Sequence, residues 1–209
     1  MRIFLFKIPE KEYNFDEYMN NSDLNYLKHF NGAIRKKKIY GILLQKFVIK
    51  LNYNIPYNEI FIKKNEYDKP YYDKNFHYNL SYSKDYIIIA YSHNSEIGID
   101  IQYESKNIEN ILIKYGNRND IMKNNTEDNV KIWTKIESYL KMIGYGLIKL
   151  NNIRILSNNN IIDKTIKKNF IQKDISNYLP NDTYGTITTR SCIEKIYFYN
   201  INVKNLLYI

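Results

Sequence analysis

Cysteine is nearly absent: the 209 residues hold one, Cys192. No internal disulfide can form, so the fold rests on packing and hydrogen bonds, and a reducing compartment suits it. Proline and glycine are also scarce, four and seven, which leaves no low-complexity linker. Asparagine replaces them in loops, as at Asn158, Asn159 and Asn160, because its side chain tolerates turn geometry. The three histidines, His29, His77 and His93, are scattered without metal-ligand spacing. No apolar run approaches the roughly 18 residues of a membrane span. The apolar start, Met1 to Pro9, is too short for a secretion signal, is interrupted by Lys7, and reads as a first strand. The expectation is a cytoplasmic protein with no membrane segment.

The chain is rich in charge of one sign. Thirty-one Lys and Arg against 22 Asp and Glu give a net charge of +9, which points to an anionic partner. The lysines and the 22 tyrosines permit nucleic-acid binding. The chain is crowded with Lys, Asn, Ile and Tyr, a pattern that AT-rich coding alone would produce, and this weakens the charge as evidence for nucleic acid. The length suffices for one large domain or two small ones.

Two stretches carry chemistry. Residues 130–146, V-K-I-W-T-K-I-E-S-Y-L-K-M-I-G-Y-G, read as a helix. Ile132, Ile136, Tyr139 or Leu140, and Ile143 form an apolar stripe at steps of three and four, and Gly144 and Gly146 stop it. Trp133, Glu137 and Lys141 share a second face. Glu before Lys at i, i+4 is either a surface ion pair or a carboxylate and an ammonium that hold a metal-bound or phosphate-bearing ligand. Upstream, residues 95–102, S-E-I-G-I-D-I-Q, alternate as a half-buried strand. Ile97, Ile99 and Ile101 point one way; Gly98, Asp100 and Gln102 point the other. Gly98 is expected to leave that face open beside the two polar side chains, which otherwise read as a solvated sheet face.

The remaining pattern places these stretches. A short helix capped at Ser22-Asp23 runs through Phe30, and a longer one covers residues 34–51, its first turns carrying Arg35, Lys36, Lys37 and Lys38. That run reads as a solvated face, a nucleic-acid patch or an anion grip. Residues 59–63 read as a strand, and Lys69-Pro70 as a turn that displays the lysine from extended backbone. Residues 77–83 and 86–92 form a hairpin, and the strand carrying Asp100 follows. A helix is expected at 108–115 and short strands at 153–156, 186–189 and 193–203, completing the second half's sheet.

G-I-D-I-Q followed some thirty residues later by W-T-K-I-E-S-Y-L-K resembles the 4′-phosphopantetheinyl transferase superfamily, most closely its surfactin-synthetase-activating type. Asp68-Lys69-Pro70 resembles that family's G-K-P turn, and Tyr78-Asn79-Leu80-Ser81-Tyr82-Ser83 its F-N-[IL]-S-H-S strand. The likeness covers about residues 66–147.

The resemblance implies an α+β pseudo-dimer: two similar α/β halves with mainly antiparallel sheets, residues 1–102 carrying the coenzyme A-binding elements and 103–209 the Glu137 helix and carrier-protein docking. It implies a monomer that moves phosphopantetheine from coenzyme A to a serine of an apo acyl or peptidyl carrier protein. Asp100, Gln102 and Glu137 would hold Mg²⁺. Glu137 would take the serine proton and Lys141 would neutralise developing charge. Arg35, Lys37, Lys38, Lys69, Ser81, Tyr82 and Lys141 would contact coenzyme A. Lys114, Arg118 and Lys123 would meet the acidic carrier. Three positions depart from the pattern: Gln102 for an acid, Tyr82 for His, and Ile136 for Lys, with Lys135 one residue off. Two other readings stay open, a catalytically impaired carrier-binding relative and a basic nucleic-acid-binding protein.

Overall fold

The computed structural model describes residues 1–105, 107–115, 125–156, 158–166, 169–192 and 195–207. Strand β1 (Arg2–Lys7) leads through a 3₁₀ turn to helix α1 (Asn21–Leu27). Asn20 caps α1. Its side chain accepts from the Asp23 backbone N–H, and the Asp23 carboxylate accepts from the Asn20 N–H. This reciprocal pair starts the helix two residues ahead of the expected cap. Helix α2 (Gly32–Tyr53) ends at Asn54 in left-handed backbone.

The expected strand at 59–63 is instead a 3₁₀ turn (Tyr57–Glu59) and a short ribbon of β2 (Lys63–Lys64) and β3 (Pro70–Tyr71). Ile60 is buried and Phe61 exposed, so the alternation is present, but the backbone pairs only at the ribbon. The hairpin of β4 (His77–Ser83) and β5 (Tyr86–Ser92) forms where the pattern put it, with Lys84 at φ 48° making the turn without glycine. Then come β6 (Ile97–Tyr103), α3 (Asn107–Tyr115), α4 (Thr126–Ile143), β7 (Ile153–Ile155), β8 (Ile161–Asp163), β9 (Ile171–Asp174), β10 (Thr183–Thr189), β11 (Tyr197–Ile201) and α5 (Val203–Leu207).

The class is α+β, and apart from one parallel pair the sheets are antiparallel. The first has the order β11-β1-β5-β4, with β11 parallel to β1; the second is β6-β10-β9. A boundary at residue 102 falls inside β6, which belongs to the second sheet over its whole length. The end of the chain returns to the first lobe rather than completing the second sheet. β11 lies beside β1, Leu206 is buried in the α2 core, and the Tyr57 hydroxyl donates to the Leu206 carbonyl. Nothing in the local alternation of β11 reveals a partner strand near residue 2.

Three cores follow from these layers. One face of the first sheet packs Phe4, Phe6, Ile87 and Ile89 against Leu43, Leu44, Phe47 and Val48 of α2. Its other face meets the second sheet through Ile3, Leu5, Ile88, Ile97, Ile99, Ile101 and Ile187. The third core joins α3, α4 and the β7–β8 ribbon.

The open edge of β6 also meets this second face of the first sheet at β4, and no backbone ladder links the two strands there. Alternate side chains of β4 do the linking. Asn79 Oδ1 accepts from the Ile99 N–H at 3.0 Å, Ser81 Oγ from Ile101 at 3.3 Å and Ser83 Oγ from Tyr103 at 2.7 Å. Buried N–H groups need acceptors, and these three polar residues supply them.

Candidate active site

With its odd residues committed to the core between the sheets, β6 turns Gly98, Asp100 and Gln102 toward α4. Gly98 does not leave open space. A Cβ there would lie 1.9 Å from the Ser138 carbonyl oxygen and 2.4 Å from the Met142 nitrogen, so the glycine exists to let α4 approach. The helix is seated by small polar contacts to β10: Thr134 with Thr186 at 2.9 Å and Ser138 with Thr188 at 2.7 Å, hydroxyl to hydroxyl.

Helix α4 begins at an Asn125 cap, whose side chain accepts from the Asp128 N–H, and ends at Gly144 with φ 77°. Its stripe of Ile132, Ile136, Tyr139 and Leu140 is buried in the third core. Trp133 joins that core as well. The remaining face brings Glu137 and Lys141 against β6. The Lys141 ammonium donates to Asp100 Oδ1 at 2.6 Å and to Ser81 Oγ at 2.9 Å. Ser81 in turn donates to Asp100 Oδ1 at 2.7 Å. A hydroxyl has one proton and two lone pairs. Ser81 spends all three inside the protein, on Asp100, Lys141 and the Ile101 N–H.

Asp100 is 4% exposed, yet its Oδ2 is buried with no partner among the described residues. Glu137 is also perturbed. Burial, and then the negative charge of Asp100, push its carboxyl up to about 7, while Lys141 pulls the other way. A buried acceptor without a donor and a carboxylate repelled by its neighbour both fit a site for a positive ion. No group of three or more His, Cys, Asp or Glu suited to a metal occurs among the described residues. Two carboxylates suffice, however, for an ion that keeps waters and takes its remaining ligands from a substrate phosphate. Gln102, half-buried and two residues along the same strand, adds an amide oxygen on that face.

The family model described as 4′-phosphopantetheinyl transferase, N-terminal, matches residues 18–94. A curated 4′-phosphopantetheinyl transferase, gsp of Aneurinibacillus migulanus, is 30% identical over 142 residues, covering 64% of this chain. The chain spans 59% of that relative's length. Over these stretches the chain is similar to 4′-phosphopantetheinyl transferases.

Against the superfamily pattern, four of the other candidate residues line three different cavities. Lys38 and Tyr82 line one of about 370 Å³ with Tyr26, Gln45, Lys64 and Pro70. Tyr82, which stands where the superfamily has His, lies against α2 at Gly41; a Cβ on that glycine would fall 1.8 Å from the phenol oxygen. Burial raises the Tyr82 hydroxyl well above the usual phenol range, so it stays protonated as a donor. Arg35 and Lys36 line a separate cavity of about 160 Å³ on another face of α2, with Glu12 and Tyr13. Lys37 is half-buried on α2 and lines neither of these cavities. Lys69 lines a third cavity, of about 250 Å³, and its ammonium donates to the Met142 carbonyl at 2.7 Å. The expected set Arg35, Lys37, Lys38, Lys69, Ser81 and Tyr82 therefore does not share one cavity.

Ile136 is fully buried among Ile132, Leu140 and their neighbours, so the position of the superfamily lysine is core here. Lys135 does not replace it. Its ammonium donates to the Asn159 carbonyl and to Asn160 Oδ1, beyond β7. Lys114 sits exposed on α3, while Arg118 and Lys123 lie outside the described residues. Sequence reasoning missed Asn79, Ser83, Thr134 and Ser138. A usable signal existed for the first two: polar residues at every second position of β4, on a strand otherwise apolar or aromatic.

Proposed function

We propose that this protein transfers the 4′-phosphopantetheine group of coenzyme A to a serine hydroxyl of an acyl or peptidyl carrier protein, with Mg²⁺. The observation that carries the reading is the convergence of Asp100, Glu137 and Lys141 at the junction of two sheets, with Asp100 Oδ2 unpartnered. Asp100 and Glu137 would hold the ion, with Gln102 contributing its amide oxygen directly or through water. When bound, Mg²⁺ offsets the charge of a pyrophosphate and polarises the phosphoryl group under attack.

The residues of the chain do the rest. Glu137, once charged, accepts the proton of the attacking serine, itself or through an ordered water. Lys141, fixed by Asp100 and Ser81, presents its remaining proton to the bridging oxygen of the leaving 3′,5′-ADP. The cavity of Lys38, Tyr26 and Tyr82, where Lys64 is paired with Asp68, offers the Lys38 ammonium and two aromatic rings to a phosphorylated nucleoside. The serine oxygen bonds to the β-phosphorus as the P–O bond to 3′,5′-ADP breaks.

Incubation with coenzyme A, Mg²⁺ and an apo carrier protein tests this directly. Intact mass should show one phosphopantetheine added per carrier. No adduct with any fatty-acid, polyketide or nonribosomal-peptide carrier would overturn the reading. Carrier binding without an adduct would instead identify an impaired relative, and salt-sensitive capture of DNA or RNA without coenzyme A affinity a nucleic-acid-binding protein.

A further inference from the structure

The last turn of α4 carries Lys141, and its backbone needs partners. The final carbonyls of a helix have no N–H donors within the helix, and that end carries partial negative charge. In this chain the partners come from the other lobe. The Lys69 ammonium donates to the Met142 carbonyl at 2.7 Å, and Asn65 Nδ2 donates to the Gly144 carbonyl at 3.2 Å. The turn is itself rigid: Asn65 Oδ1 accepts from the Tyr67 and Lys69 N–H groups, both at 2.9 Å, and the Asn65 N–H donates to the Lys69 carbonyl. Gly144 keeps the approach open, since a Cβ there would come within 3.0 Å of the Lys69 side chain.

We propose that residues 65–69 act as a clip on α4, and that Asn65 and Lys69 are positioning residues for Lys141 rather than contacts to coenzyme A. This rests on the transferase reading for its consequence, not for its geometry. Thr134 and Ser138 hold the body of the helix to β10. The turn beyond Ser138 is held from the first lobe by Asn65 and Lys69 on its carbonyls and by Ser81 on Lys141, and from β6 by Asp100 on Lys141. Lys69 therefore fixes the same turn whose side chain must meet Asp100. Lys69 also lines a different cavity from Lys38 and Tyr82. A misplaced catalytic group costs rate far more than it costs ground-state binding.

Kinetics of Lys69→Met, Lys69→Arg and Asn65→Ala, with coenzyme A affinity measured by calorimetry, test the clip. Lys69→Met and Asn65→Ala should lower kcat on the order of ten- to hundredfold, with affinity and KM for coenzyme A moving less than about twofold. Lys69→Arg should restore most of the rate, because a guanidinium can donate to the same carbonyl. Hydrogen exchange of the 138–146 amides should quicken in the first two variants and not in the third. A tenfold loss of coenzyme A affinity with kcat retained would make Lys69 a nucleotide contact and overturn the proposal; so would unchanged exchange. An inactive wild-type protein would remove the transferase reading, while the exchange result would still decide whether the clip exists.

Discussion

Helix α4 carries one arrangement twice. Glu127 precedes Lys131, and Glu137 precedes Lys141, both at i, i+4 in the favourable order. The first pair does what the spacing suggests: its atoms meet at 2.6 Å on a solvated face. The second does not form an ion pair. Lys141 is drawn across to Asp100 of β6, and Glu137 is left half-buried, its carboxyl pushed up to about 7. Identical local chemistry thus gives a surface ion pair at one end of the helix and a strained acid at the other. The difference lies in what each end faces: only the end that meets β6 sets its carboxyl against a second carboxylate, Asp100.

The largest effect expected is on rate. Glu137→Gln should lower turnover on the order of 10²–10⁴-fold, the usual contribution of a positioned acid or base, while Glu127→Gln should leave it unchanged. A single steady-state comparison of the two variants decides whether the two ends differ as described. Equal rates would erase the distinction.

Next comes stability without divalent cation. Folded Glu137 keeps its proton to about pH 7, whereas the ordinary value is 4.5. The folded state therefore binds more protons between these values, and stability falls as pH rises from 4.5 through 7. At pH 8 the deficit is complete and amounts to about 3 kcal/mol, at roughly 1.4 kcal/mol per tenfold. Glu137→Gln should be more stable than the parent by about that much at pH 8 and equal to it at pH 4. Urea denaturation at both pH values measures this. Added Mg²⁺ should narrow the gap at pH 8 by stabilising the parent, and no response to Mg²⁺ would count against Glu137 as a ligand.

How much of this is legible in the sequence differs by element. α4, the β4–β5 hairpin and β6 announce themselves because their apolar periods, 3.6 and 2, are local. Asp100, Glu137 and Lys141 are visible as residues on the right faces. Their meeting is not, since it depends on how two elements cross. Gly98 shows the limit well: alternation puts it beside Asp100, but only the packed helix shows that Ser138 occupies the space above it. Likewise Lys69 reads as a displayed turn lysine until Met142 appears in front of it. β11 reads as a strand, while its parallel partner β1 lies almost the whole chain away.

Gly98→Ala sharpens the comparison from the strand side. The added methyl meets backbone, the Ser138 carbonyl and the Met142 nitrogen, which cannot swing aside. The C-terminal half of α4 must lift, at a cost of about 1–3 kcal/mol for overpacking. Lys141 moves with it, so kcat should fall as well. The Glu127 end, further along the helix, should be untouched, and the exchange rates of amides 126–131 should not change.

The smallest effect closes the comparison at its other end. Glu127→Ala removes an exposed ion pair whose partners are 34% and 46% exposed. Pairs of this kind contribute about 0.3–0.5 kcal/mol, and salt screens them. A double-mutant cycle of Glu127→Ala with Lys131→Ala should return a coupling of that size, fading as salt rises toward 1 M. The equivalent cycle at Glu137 and Lys141 should behave otherwise. There the two side chains couple through buried Asp100, which mobile ions do not reach, so the coupling should fade less with salt than the first. If it faded like the first, Glu137 would be another solvated carboxylate, and its nearness to Asp100 would carry no chemistry.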